Sequence, residues 1–113
     1  MTSLTLNLSQ GSVSFTFSRE SAQDLQGQVA ELVQRLKAIA SQGSSAGQRP
    51  SPQPSLEYRY TGDVFLELFC NPNIYPSPFA AKVLVTVRDE RIRLTAEAEL
   101  TRLIEDVNLF LEQ

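Results

Sequence analysis

Two stretches of the chain, residues 4–40 and 83–111, carry the same pattern: apolar residues alternate along two short runs, then recur at three- and four-residue steps. Period two belongs to a strand with one buried face and period 3.6 to a helix with one buried stripe. Each stretch therefore predicts a β-hairpin followed by an amphipathic helix. Few other readings satisfy both periods twice in one chain.

In the first stretch Leu4, Leu6 and Leu8 face Val13, Phe15 and Phe17 across Gln10-Gly11. A two-residue turn there, with glycine supplying a positive φ, sets Leu8 opposite Val13, Leu6 opposite Phe15 and Leu4 opposite Phe17. Ser18 or Ser21 then caps a helix whose stripe is Leu25, Val29, Leu32, Val33, Leu36, Ile39 and Ala40. In the second stretch Val83, Val85 and Val87 face Ile92, Leu94 and Ala96. Centring the turn on Asp89-Glu90 pairs 87 with 92, and because neither residue is Gly or Asn, a four-residue loop around a type I turn is expected. Thr95 caps the second helix, with Glu97 and Glu99 in its first turn and Leu100, Leu103, Ile104, Val107, Phe110 and Leu111 as its stripe.

Between these units, residues 41–55 are small, polar, Gly or Pro, and cannot bury enough apolar surface to offset the entropy of ordering them, so a flexible tether is expected. Residues 56–70 regain strand composition. Leu56, Tyr58 and Tyr60 alternate with Glu57 and Arg59, and 64–70 is apolar on both faces except at Glu67, the pattern of a strand covered on both sides or pressed on a partner. The element order ββα-ββ-ββα predicts one α+β domain over 1–113. Its architecture is a two-layer sandwich, an antiparallel sheet of about five or six strands with two helices on one face. The opposite face would hold Thr5, Asn7, Ser14, Thr16, Arg59, Arg88 and Arg93, with Phe65, Phe69 and Leu84 as apolar exceptions.

What the chain lacks restricts its chemistry. With no histidine and one cysteine in 113 residues, it cannot form the usual thiolate and imidazole zinc site or supply an imidazole base to a nucleophile. No phosphate-cradling glycine motif occurs. No metal, no cofactor and no enzymatic activity are expected. The sharpest catalytic candidate is Glu67, in the most apolar strand, with Tyr58 across the hairpin; its plainer role is an exposed pair with Arg59. Ten basic residues against 13 acidic disfavour nucleic-acid binding. No apolar run approaches the roughly 18 residues of a membrane span, and Met1-Thr2-Ser3 opens without a leader pattern, so a cytoplasmic protein without membrane insertion is expected.

Two surface groups remain. Arg88, Arg91 and Arg93 are placed on one side of the second hairpin, with Arg59 able to join them, as a candidate anion-binding group whose plainer reading is solvated charge. Residues 71–80, NPNIYPSPFA, combine three prolines with Ile74, Tyr75 and Phe79. Aromatics held by proline lose little entropy on docking, which suits a protein-binding loop; the same side chains could equally fold back to cap the core. The expected function is a non-enzymatic adaptor or assembly factor, homodimeric, that meets a protein partner through Ile74, Tyr75, Phe79, Phe65 and Phe69. The alternative is a small-ligand binder or cofactor-free enzyme with a pocket near Tyr58, Tyr60 and Glu67.

Overall fold

A computed structural model describes residues 2–42 and 52–113. In chain order the elements are β1 (Thr2–Asn7), β2 (Ser12–Phe17), α1 (Arg19–Gln42), β3 (Leu56–Thr61), β4 (Phe65–Cys70), a 3-10 turn (Pro72–Ile74), β5 (Lys82–Arg88), β6 (Arg93–Glu99) and α2 (Leu100–Leu111). The class is α+β and every strand pairing is antiparallel. The single sheet expected from the sequence is not formed. β1 and β2 make a two-stranded sheet of their own, and β3-β4-β5-β6 make a four-stranded one.

The division has a packing reason. Leu4, Leu6, Phe15 and Phe17 line one face of the β1-β2 hairpin and all are buried in the core shared with the larger sheet and both helices. The ring of Phe17 lies 4.6 Å from that of Tyr60 on β3 and 5.9 Å from that of Phe110 on α2. The hairpin thus contributes a wall to the core rather than extending the ladder. Its tip is fastened to the edge of the larger sheet where Ser9 N–H donates to the Glu97 carbonyl at 2.8 Å. Thr5 and Ser14, expected beside the arginines, share a hydroxyl hydrogen bond of 2.6 Å on the hairpin's own outer side.

Both hairpins keep the expected faces in a register displaced by two residues. Leu4 pairs with Phe15 and Leu6 with Val13, and the turn spans residues 8–11, with Gly11 at φ 89° and Leu8 N–H donating to the Gly11 carbonyl at 2.9 Å. In the other hairpin Val87 pairs with Leu94, Val85 with Ala96 and Val83 with Ala98. Asp89 selects this turn. Its carboxylate accepts from the backbone N–H groups of Arg91 at 2.8 Å and Ile92 at 2.9 Å, which also holds its pKa below the usual carboxylate value. The four-residue loop is therefore 89–92, and Ile92, expected on the apolar face, is exposed within it.

The helices follow their stripes with local differences. The Ser18 hydroxyl accepts from Ser21 N–H at 3.0 Å, capping α1, and Ala22, Leu25, Val29, Leu32, Leu36 and Ile39 are buried, whereas Ala40 is exposed. α2 begins at Leu100 instead of after Thr95, because Leu94, Ala96 and Ala98 continue the alternation of β6 opposite β5. Leu100, Leu103, Val107 and Phe110 are buried as the stripe requires. So is Asp106. Its carboxylate accepts from Asn7 N–H at 2.8 Å and Asn7 Nδ2 at 2.9 Å and lies 3.5 Å from Arg102, joining α2 to β1. Of the tether expected at 41–55, residues 43–51 lie outside the described residues. Residues 41 and 42 belong to α1, and Gln53 is clasped through its backbone by the side chain of Asn73, with both bonds 2.8 Å.

Candidate interaction surface

The four-stranded sheet turns Leu56, Tyr58, Leu66, Leu68, Cys70, Val83, Val85 and Val87 toward the core. Alternation then fixes the opposite, outer face as three cross-strand rows. The first is Thr61, Phe65, Arg88 and Arg93; the second is Arg59, Glu67, Thr86 and Thr95; the third is Glu57, Phe69, Leu84 and Glu97. No element covers this face among the described residues. Phe69 and Leu84 are 39% and 42% exposed side by side in the third row. Phe65 lies under the Arg88 guanidinium, whose carbon is 4.3 Å from the ring centroid.

The four candidate anion-binding arginines do not converge. Arg59 donates to the Glu67 carboxylate at 2.8 Å, a pair that holds its guanidinium more firmly charged. Arg91 lies in the 89–92 loop and not in a strand. Arg88 and Arg93 stand directly opposite each other in the first row, with no ion-pair partner among the described residues. Like charges in register oppose each other, so this corner of the sheet favours a carboxylate brought from elsewhere.

Residues 71–80 divide between the two readings. The Asn71 side chain accepts from Asn73 N–H at 3.0 Å to start the 3-10 turn, Pro72 is buried, and Tyr75 packs against the core. Ile74 and Phe79 point outward, 67% and 85% exposed. Bonds from Ala80 N–H to the Ser77 carbonyl (3.2 Å) and from Asn73 to residue 53 hold the loop that carries them.

Tyr58, Tyr60 and Glu67 do not share a pocket. Tyr58 and Tyr60 face inward, where the Tyr58 hydroxyl donates to the Ser21 carbonyl at 3.3 Å and its ionisation is pushed up to about 12, chiefly by burial. Glu67 faces outward against Arg59. An open groove of about 320 Å³ lies between α1 and α2 instead, lined by Val29, Ala30, Val33 and Ile104 with the amides of Gln26 and Asn108 hydrogen-bonded across it at 2.8 Å. No titratable side chain lines it.

Cys70 is buried on the core side of β4, and desolvation pushes its thiol up to about 11. The native thiol is expected to resist disulfide reagents at neutral pH and to react once the chain is unfolded, which a time course with and without denaturant reads directly. The raised pKa values of Cys70 and Tyr58 also set a direction in pH. Their ordinary values are 9.0 and 10.0, so the unfolded chain loses these protons first as pH rises. Stability from these groups is full below pH 9 and falls as pH climbs toward 11 and 12. Denaturant titrations at intervals of pH test this; an unchanged midpoint across that window contradicts it.

Among the described residues no group of acidic, cysteine or histidine side chains could hold a metal ion, and no helix is long and apolar enough to cross a membrane. Comparison with protein-family models, curated proteins and solved structures gives no match. Some surface residues escaped the sequence reading. Glu97, expected in a helical first turn, stands on the outer sheet face, and the continued alternation of 94, 96 and 98 was the signal for it. Exposed Leu109 on α2 follows from its place off the stripe.

Proposed function

We propose that this chain is a non-enzymatic protein-protein interaction module, an adaptor or assembly factor of the cytoplasm, that engages partners through the 71–80 loop and the outer sheet face. The observation that carries this reading is the exposure of Ile74 and Phe79 on a loop pinned by Pro72, Asn71 and Asn73. An apolar side chain already held in place loses little entropy on docking and gains the full benefit of leaving water. The absence of histidine from the sequence and the separation of Tyr58 from Glu67 argue against catalysis. The alternative, a small-ligand binder, rests on the groove between the helices, whose lining of apolar and amide groups suits a neutral molecule.

The test is a pair of substitutions, Ile74→Ala with Phe79→Ala, in affinity capture from the source cells. A partner retained by the native chain is expected to be lost by the variant, while the melting temperature stays within about 3 °C because neither side chain is buried. Equal retention by both forms removes the loop from the reading. A large fall in melting temperature makes these residues part of the core instead.

A further inference from the structure

The outer sheet face is complementary to itself. Its first row ends in Arg88 and Arg93, while its third row is bracketed by Glu57 and Glu97, with Phe65 in the one and Phe69 and Leu84 in the other. The row between them holds Thr86 and Thr95 and the internally neutralised pair of Arg59 and Glu67. Basic and acidic ends thus flank a centre that carries no net charge.

We propose that the occupant of this face is a second copy of the chain, packed sheet to sheet about a two-fold axis that runs along the middle row. This inference deepens the interaction-module reading and assigns one of its two surfaces. The rotation keeps each strand over its own counterpart and exchanges the first row with the third. Arg93 then meets Glu97 of the partner subunit, Phe65 meets Phe69 of the partner subunit, and Arg88 lies over Leu84 of the partner subunit. By symmetry every such contact is made twice. On the axis the small side chains of Thr86 and Thr95 permit close approach, while Arg59 and Glu67, each over its own copy, keep their charges balanced through the 2.8 Å pair within each chain. A two-fold axis along the strands would instead set Glu57 against Glu97 of the partner subunit, which charge disfavours.

Other occupants fit less well. An acidic peptide drawn to Arg88 and Arg93 would meet Glu57 and Glu97 across the middle row, and a basic one would meet the arginines. A partner with the same dipole reversed lays a basic end over an acidic one, and the two-fold axis supplies it, with Arg93 and Glu97 forming the charge pair at each symmetric point. Four strands about 4.8 Å apart, each about six residues long at 3.3 Å per residue, give a flat footprint of roughly 400 Å² per copy. The two copies together cover roughly 800 Å², short of the roughly 1,200 Å² at which stable interfaces begin, so the association is expected to be weak and readily reversible, with a dissociation constant on the order of 100 µM.

Sedimentation equilibrium from about 1 µM to about 1 mM reads the outcome. The native chain is expected to rise from the 12.6 kDa of one copy toward twice that mass. Arg93→Glu and Glu97→Arg each weaken association about tenfold, since each places like charges together at two symmetric points, and the double variant returns to within about threefold of the native value. Leu84→Lys, at a site already 42% exposed and therefore harmless to folding, sets a lysine against Arg88 of the partner subunit and abolishes the dimer. A native chain that stays monomeric throughout overturns the proposal. So does a dimer indifferent to these changes, or a double variant that fails to recover. Ile74→Ala with Phe79→Ala lies outside this contact and leaves the dimer intact. A monomer whose loop still captures a partner therefore overturns the twin and spares the module, whereas a dimer with an inert loop does the reverse.

Discussion

Phe17→Ala is expected to destabilise the protein by about 3–5 kcal/mol, the usual cost of removing a buried aromatic side chain together with the cavity it leaves. At roughly 4 °C or more per kcal/mol for a chain of this size, the melting temperature falls by on the order of 15 °C. The expectation rests on position. Phe17 is almost wholly buried, and its ring meets Phe15 within the hairpin, Tyr60 on the larger sheet and Phe110 on α2. No backbone ladder joins the two sheets, so side-chain packing of this kind holds them together. Phe17→Leu keeps most of the volume and is expected to retain much of the stability. Thermal melts followed by circular dichroism measure both. A loss below about 1 kcal/mol for Phe17→Ala would mean that the hairpin collapses onto the void and that its attachment lies elsewhere.

Asp106→Ala ranks next, at about 2–4 kcal/mol, because it leaves buried donors without an acceptor. Asp106 is 6% exposed, and its two oxygens take the backbone and side-chain N–H groups of Asn7. Arg102 lies on the solvent side of the cluster, half exposed, and contributes less. Asp106→Asn is expected to cost roughly half as much, since an amide retains one acceptor oxygen and turns a donor toward the other bond. A cycle with Asn7→Ala isolates the coupling: additive losses would show that the two side chains act independently and would remove the clamp from the account.

The sequence announced which residues face inward more securely than it announced what they face. Alternation of Leu4, Leu6, Phe15 and Phe17, and of Val83, Val85 and Val87, assigns faces correctly, and a displacement of two residues leaves those faces unchanged. That is why both registers moved by two without disturbing the core. The deciding detail lay in turn chemistry, in Gly11 at the end of its loop and in the reach of Asp89 to two backbone N–H groups. Periodicity also carries no information about which ladder edge a strand will use, so the separation of the hairpin from the larger sheet was not legible. Asp106 was. Its place between Leu103 and Phe110 puts a carboxylate on the apolar stripe, a conflict that in a buried helix face calls for a partner. On the candidate surface, Phe65, Phe69 and Leu84 were legible as outward residues by the same alternation, whereas the paired rows of opposite charge needed the observed register.

The clamp at Asp106 reaches across 99 positions of chain to Asn7. Contacts so remote in sequence form only after nearly all the intervening polypeptide has been made, and they slow the search for the native state. β1 can pair with β2 as soon as both are made, but the bonds from Asn7 to Asp106 form only once α2 is in place. The last helix of the fold thus closes on its first strand, so a change that loosens Asp106 loosens the join between the two ends of the described chain.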